Sequence, residues 1–326
     1  MTQPTIGPTI GPTIGPTIGV DLGGTNLRVA TVAPTGEVLD EQHERTQGDF
    51  DELVATIADH ASTLVASSGA SAVGVGVAAL IDGDGMAHYA PNLPMLRQAP
   101  LRAALAEATG LPVVVDNDAN VAAWGEVCHG AARGARHALV ITLGTGVGGG
   151  IVINGRIYRG AHGFAAEVGH WQFDPHGLMC ACGEKGHWEA AASGTALGHL
   201  ARARCADGVA PNVLARAGGD RDAVTGLHVG ESAKAGEADG IAILGDYARQ
   251  VALGFVGLAN ILDPEIIVVA GGLVALGDLL LDPIRVAFDQ HLEGAAFRPA
   301  VPIVLAELGA QAGVVGAAAL ARELIA

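Results

Sequence analysis

Three apolar, strand-like runs in this chain each break into a glycine turn: TIGVDLGGTN from residue 17, HALVITLGTGVGGG from residue 137 and PEIIVVAGGL from residue 264. A strand that must stop and turn within two or three residues needs backbone conformations, or close approaches, that side chains forbid. The chain holds 48 glycines in 326 residues, which supplies many such points. Helix and strand signals alternate around the turns. The chain therefore reads as two α/β units in series, each opening with a hairpin and a glycine turn, with a cleft expected between them.

The local signals fill in this scheme. Residues 4–19 are a PTIG repeat, and proline at every fourth position forbids a regular helix and interrupts strand pairing. They read as a disordered leader whose last copy merges into the first strand; no function follows from it. Residues 19–46 read as a β-meander turning at Pro34–Gly36. Leu53, Ile57, Leu64 and Val65 give residues 50–68 a helical face. AVGVGVAALID is a buried strand, LRAALAEATG a helix stopped by Gly110, LPVVVDNDAN a strand ending at Asp116–Asp118, and ANVAAWGEVCHG a helix. Farther on, residues 137–160 read as a hairpin with a glycine-rich bend, and residues 203–240 as surface helices and loops. IAILGDYARQVALGFVGLANIL is a long helix, and residues 311–325 close the chain with an alanine-rich one.

Charge and cysteine usage remove whole classes of function. The formal charge is −16, Lys185 and Lys234 are the only lysines, and no stretch is strongly basic. Nucleic acid and anionic membrane would meet repulsion, so neither is expected as a partner. An anionic substrate would need a site made locally positive by backbone N–H groups, an arginine or a bound cation. Cys128, Cys180, Cys182 and Cys205 are too few for a disulfide framework in a chain this long, which suits reduced thiols in a cytoplasm. The uncharged stretch Ala138–Gly155 carries six glycines and makes a poor spanning helix. The N-terminus lacks the basic start and apolar core of a secretory signal.

Several motifs carry chemistry. In DLGGTN, Gly23 and Gly24 let the backbone approach a bulky anion, Thr25 adds a hydroxyl donor, and Asp21 suits a hydrated Mg²⁺; an ordinary hairpin turn is the plainer alternative. LGTGVGGG repeats the pattern with Gly144, Thr145 and Gly146, and AGGL offers Gly271 and Gly272. Three such turns suit a nucleotide gripped from both lobes, although neither a Walker A loop nor a Rossmann fingerprint is present. In DNDAN, Asp118 is placed to accept a proton from a sugar hydroxyl as it attacks phosphorus, or merely to N-cap a helix beginning at Ala119. Glu167, His170, His187 and Glu189 cluster in sequence around CACGEKGH, where carboxylates suit a polyol. His170, Cys180, Cys182 and His187 make a two-His, two-Cys set that suits tetrahedral Zn²⁺, with His176 as a competing ligand and two buried thiols with unrelated histidines as the alternative. Such a closed site would be structural.

Taken together, DLGGTNLR, APNLP, NDANVAAWGE, LGTGVGGGIV, GAHGFAAEVGH, CACGEKGHWEAAASG and VVAGG resemble the ROK family of sugar kinases, and its glucokinases most closely, over residues 17–326. The resemblance implies an α/β, bilobal actin–hexokinase-like (ribonuclease H-like) fold with an interlobe cleft. The expected division is a leader at 1–16, a small lobe of 17–117 plus 309–326, and a large lobe of 118–308 holding a zinc loop at 170–187. It implies ATP-dependent phosphorylation of glucose at the 6-hydroxyl, Asp118 as base, and sugar contacts from Asn92, Asn117, Asp118, Glu167, His170 and Glu189. Gly23–Thr25 and Gly144–Gly146 correspond to the phosphate loops, with Gly271 and Gly272 near the adenosine. ATP, Mg²⁺, a structural Zn²⁺, a cytoplasmic location and a homodimer follow from the same resemblance. Two departures stand out: His187 occupies the place of a third zinc cysteine, and VAALID stands where many members have a Pro-Gly pair. Another hexose (mannose, fructose or an N-acetylhexosamine) or polyphosphate as donor is the alternative. A catalytically silent sugar-binding protein is disfavoured by intact Asp118 and glycine loops. A DNA-binding repressor is disfavoured by the acidic chain and by the mere 20 residues before Asp21.

Overall fold

The computed structural model describes residues 15–326, so most of the PTIG repeat lies outside the described residues. Contacts divide the chain into two compact units: residues up to 140 with 150–166 and 306–326, and residues 141–149 with 167–305.

The elements follow the alternation in the sequence. β1 (Thr17–Leu22), β2 (Asn26–Val32) and β3 (Val38–Arg45) form the expected meander, with Gly36 at φ 88° in its second turn. α1 (Phe50–Ser68) is started by an Asp49–Glu52 capping box and ended by a left-handed Gly69. β4 (Val73–Val77) pairs parallel with β1. β5 (Leu80–Ile81) and β6 (Ala87–Tyr89) form a small hairpin. α2 (Leu101–Thr109) stops at Gly110 as expected, β7 (Val113–Asn117) pairs parallel with β4, and α3 (Asp118–His129) follows directly. β8 (Ala138–Leu143), β9 (Val147–Ile153) and β10 (Arg156–Ile157) are the strands of the second glycine-rich hairpin. Then come α4 (Glu189–Ala192), α5 (Gly194–Ala206), α6 (Pro211–Arg216), α7 (Gly226–Lys234) and the long α8 (Ala238–Leu262). β11 (Ile266–Ala270), α9 (Asp278–His291), β12 (Ile303–Leu305) and α10 (Ala312–Glu323) close the chain. The two large sheets run β3-β2-β1-β4-β7 and β10-β9-β8-β11-β12. Each is thus a three-strand meander with two further strands added beside its first strand.

In the first unit, strand alternation sorts side chains by size. Ile18, Val20, Leu22, Val73, Val75 and Val77 join one core with Leu53, Ile57 and Leu64 of α1 and Leu101 and Leu105 of α2. Full burial of each such side chain contributes about 1.5–3 kcal/mol. The intervening positions are Gly19 and Asp21 on β1 and Gly74 and Gly76 on β4. A Cβ on Gly19 would fall 1.9 Å from the Val314 carbonyl oxygen, and one on Gly74 would fall 1.8 Å from that of Ala317. On α3, Gly125 would meet the Ala312 carbonyl oxygen at 2.9 Å; on α10, Gly316 would meet that of Val121 at 1.8 Å. The glycine face therefore lets α10 and α3 lie directly on the sheet. That close packing brings the first turn of α10 to Asp21, where a Cβ on Gly313 would sit 2.6 Å from the Asp21 Cγ.

In the second unit Trp188, Tyr247, Phe255 and Phe288 are the largest fully buried side chains. Trp188 lies over Gly254 of α8, packs edge-on to Phe255 at 5.9 Å, and donates its Nε1–H to the Gln250 carbonyl at 3.1 Å. Trp171 lies over Gly257, one turn farther along the same helix. α8 is long and apolar enough to cross a membrane by length and composition, yet Ile243, Tyr247, Val251, Phe255 and Ala259 are buried inside the unit. It is a core helix here.

Candidate active site

In the first unit the functional candidates gather where β1, β4 and β7 end. The Gly23–Thr25 turn is closed by the Gly23 N–H donating to the Asn26 carbonyl at 2.9 Å and by the Thr46 hydroxyl donating to the Gly23 carbonyl at 2.7 Å. Gly24 abuts Asn92: a Cβ there would sit 2.7 Å from the Asn92 Cβ. The helix after β7 starts at Asp118, and Asn117, not Asp118, is its N-cap. The Asn117 Oδ1 accepts from the N–H groups of Ala119 at 2.9 Å and Asn120 at 3.2 Å, while its Nδ2 donates to the Ala79 carbonyl at 3.3 Å. The capping reading of Asp118 is corrected accordingly. An N-cap needs extended backbone, which Asn117 has at φ −61°, ψ 143°; Asp118 already belongs to the helix. Its carboxylate accepts one local bond, from the Ala119 N–H at 2.9 Å.

Two carboxylates therefore share this corner. Burial raises Asp118 above the usual carboxylate range, and the Ala119 N–H opposes it only partly. Burial lifts Asp21 to about 6, against the pull of Arg28, and the Asp118 charge adds to the lift. Arg28 pairs with Asp21 across β1 and β2 and binds Glu41 through its Nε at 2.7 Å. Two partly desolvated acids within electrostatic reach of one another are the arrangement that a divalent cation relieves.

In the second unit the Gly144–Gly146 turn joins β8 to β9. The Gly144 N–H donates to the Gly146 carbonyl at 3.0 Å, and the Gly194 N–H donates to the Gly144 carbonyl at 2.7 Å. The Thr195 hydroxyl donates to the Thr145 carbonyl at 2.8 Å. Gly271, at φ 92°, crosses Leu143 so closely that a Cβ would fall 2.5 Å from its carbonyl oxygen. A cavity of about 610 Å³ opens here, lined by Gly144, Thr145, Thr195, Arg202, Thr225 and Gly272, among others. It is framed by backbone amides and hydroxyls, with one guanidinium and the apolar Leu227 and Leu273, a lining that suits a nucleotide. Thr195, Arg202 and Thr225 escaped the sequence reading. Arg202 and Thr225 stand in or beside the stretch read as surface, and only the SGT run before Ala196 hinted at a polar turn.

The suspected metal ligands converge. One donor atom from each of His170, Cys180, Cys182 and His187 lies within 4.8 Å of the others. The His170 and His187 Nδ1 atoms are 3.4 Å apart, Cys182 Sγ is 3.2 Å from the His187 Nδ1, and Cys180 Sγ is 3.9 Å from the His170 Nδ1. Tetrahedral zinc, with bonds of about 2.0–2.3 Å, holds its ligand atoms about 3.3–3.8 Å apart, so this donor set fits. His176 is not in the set; its N–H donates to Asp174 at 2.9 Å instead. Trp171 and Trp188 adjoin His170 and His187, so the glycine seats on α8 hold both ends of the loop. Burial pushes the Cys180 thiol up to about 12. Glu189 bridges this loop to the glycine turn: one oxygen takes the Cys180 thiol at 3.2 Å and the other the Val147 N–H at 3.0 Å. Glu167 precedes the short turn Val168–His170, and its carbonyl accepts the His170 N–H at 3.0 Å.

Known proteins carry the same pattern. Residues 17–324 match the ROK family. The glucokinase of Streptomyces coelicolor is 41% identical over 307 residues, covering 93% of this chain and 96% of that one. The glucokinase of Halalkalibacterium halodurans is 37% identical over 321 residues, covering 93% and 94%. Among solved structures, a ROK family glucokinase from Streptomyces griseus in complex with glucose and AMPPNP is 40% identical, with TM-score 0.82 over 95% of this chain and 100% of that one. The fold is the actin–hexokinase-like one expected.

Proposed function

The chain belongs to the ROK family, and from that premise we propose that it is a glucokinase, transferring the γ-phosphoryl group of ATP to the 6-hydroxyl of glucose. The observation that carries this reading is Asp118, a carboxylate raised by burial and fixed at a capped strand–helix corner beside Asp21. A base with raised proton affinity sits nearer the working pH, which favours proton abstraction. The sugar O6–H proton passes to the Asp118 carboxylate as the O6–phosphorus bond forms. The bond from γ-phosphorus to the bridging oxygen breaks, ADP leaves, and Asp118 returns its proton to solvent.

The other roles follow from the chemistry of each group. Asn92, Asn117, Glu167 and Glu189 hold sugar hydroxyls. His170 gives its Nδ1 to the metal set and keeps Nε2 for a hydroxyl. The amides and hydroxyls of Gly23–Thr25 and Gly144–Gly146 receive phosphates, while Gly271 and Gly272 leave room for the adenosine. Asp21 is the carboxylate for hydrated Mg²⁺, which neutralises phosphate charge when bound. Zn²⁺ on His170, Cys180, Cys182 and His187 supplies a structural clip. Glucose and AMPPNP in the Streptomyces griseus relative support the choice of sugar and donor. Four unpaired cysteines support a cytoplasmic location, and the family resemblance supports a homodimer, for which light scattering should give twice the chain mass.

The test is a panel of hexoses with ATP and Mg²⁺, read as sugar-dependent ADP release. Glucose should give the highest kcat/KM, and polyphosphate should not replace ATP. Asp118→Ala should lose at least about a thousandfold in kcat while still binding glucose. Near-normal turnover in that variant would end the assignment of the base.

A further inference from the structure

Asp116 is 3% exposed and lies on β7, two residues before the proposed base. A carboxylate so deeply buried is stable only if its lone pairs are met by donors. Three donors meet it. Its Oδ1 accepts the Asn117 N–H at 2.8 Å and the Asn120 Nδ2 at 3.0 Å, and its Oδ2 accepts the Arg159 Nε at 2.7 Å. Arg159 follows β10 in sequence, 43 residues away from Asp116, and is the only charged partner of that carboxylate among the described residues. Its backbone carbonyl also accepts the Ala165 N–H at 3.1 Å, closing the loop that leads towards Glu167. Glu323 of α10 is the other carboxylate within its electrostatic reach.

We infer that Arg159 is a positioning residue for phosphoryl transfer, acting through Asp116 to fix the corner that aims Asp118. This rests on Asp118 being the base. The corner has two lashings. Asn117 ties it to Ala79 and caps α3, while Asp116 ties it to Asn120 one turn into α3 and, through Arg159, to a distant segment. Without the guanidinium, a buried anion is left with two neutral donors from its own corner. It must then recruit water or draw those donors out of place, and either moves the first turn of α3. A displacement of the base by a fraction of an ångström costs rate far more than it costs substrate binding.

The test uses the full chain and ATP–Mg²⁺ kinetics. Arg159→Leu should lower kcat roughly 30-fold or more while changing the glucose KM less than about threefold. Arg159→Lys, which restores a charged donor near the Asp116 Oδ2, should recover at least a third of that loss. In the Asp118→Asn background, Arg159→Leu should cost less than threefold further, because its effect passes through the base. A kcat for Arg159→Leu within twofold of the parent overturns the inference, as does an undiminished 30-fold loss on top of Asp118→Asn. Should Arg159→Leu fail to fold, Arg159→Gln and Asp116→Asn carry the same kinetic comparison, and parental kcat in both overturns it. Near-normal turnover in Asp118→Asn itself would instead remove the base assignment, a separate failure.

Discussion

Asp21 is lifted to about 6 in the folded chain from an ordinary 3.8, and the sign of the consequence can be worked out. Below about pH 4 the group is protonated folded or unfolded, and its burial costs nothing. As pH rises through 6, the unfolded chain releases the proton first, so the folded state loses stability. The shift converts to about 3 kcal/mol at full strength, and the partial exposure of the site discounts it to about 1–2 kcal/mol. Asp21→Asn should therefore raise the unfolding free energy of the ligand-free protein by about 1–2 kcal/mol at pH 7.5 and leave it unchanged near pH 4, measured by urea titration. An equal gain at both pH values would refute the burial argument. Arg202 allows a second test. Its Nη1 donates to the Val224 carbonyl at 2.6 Å while the residue lines the cavity. Arg202→Ala should raise the KM for ATP about tenfold and leave the glucose KM within twofold. The placement of Asp118 at a strand–helix corner was legible in the sequence because a carboxylate at a strand end is a local signal. Arg202 was not, since nothing in its own helix sets it apart, and its place in the cavity lining depends on Thr225 and Gly272 arriving from elsewhere.

At the scale of elements, the loop proposed to hold zinc rests on a helix that contributes none of the four candidate ligands. Trp188 seats over Gly254 and Trp171 over Gly257, and a Cβ on Gly254 would fall 2.0 Å from the Trp188 ring. Adding one methyl must push the ring away or bend the helix, at about 1–3 kcal/mol, and His187 immediately precedes that tryptophan. Gly254→Ala should lower bound zinc from about one per chain after dialysis against a weak chelator and lower Tm by several degrees, read by elemental analysis and calorimetry. Full zinc retention in that variant would mean the loop organises itself. The ligand spacing was visible in the sequence, and so were the strands that end in glycine turns. The glycine seats were hidden, because GFVG inside an apolar helix looks like any other packing position. α9 was hidden too: Pro283 sits in its interior and breaks the pattern that marks a helix.

At the scale of the whole molecule, the chain's end completes the unit that its beginning starts. Ten of the twelve residues of α10 are buried, and the helix lies on the glycine faces of β1 (Thr17–Leu22) and β4 (Val73–Val77), both far upstream in sequence. The Thr17 hydroxyl donates to the Ala318 carbonyl at 2.8 Å, and the Arg322 Nη2 donates to Thr17 at 3.2 Å and to the Ala33 carbonyl at 3.0 Å. No local signal announces such pairing; only the alternation VGVGV, with valine on one face and glycine on the other, shows that something must lie close on the bare side. The two ends should then respond differently to truncation. Removing residues 312–326 strips the cover from β1 and β4, exposes the core formed with Ala30 and Val32, and frees the turn of α10 that crowds Asp21. That protein should show no cooperative thermal transition. Removing residues 1–14 leaves Thr17 and its bonds to Ala318 and Arg322 in place, so Tm should stay within about 2 °C and glucose turnover within twofold. Calorimetry and the ADP-release assay on both truncations decide it: a cooperative, active protein lacking α10 would show that the glycine face does not need its cover, and the account of how the Asp21–Asp118 corner is built would fall with it.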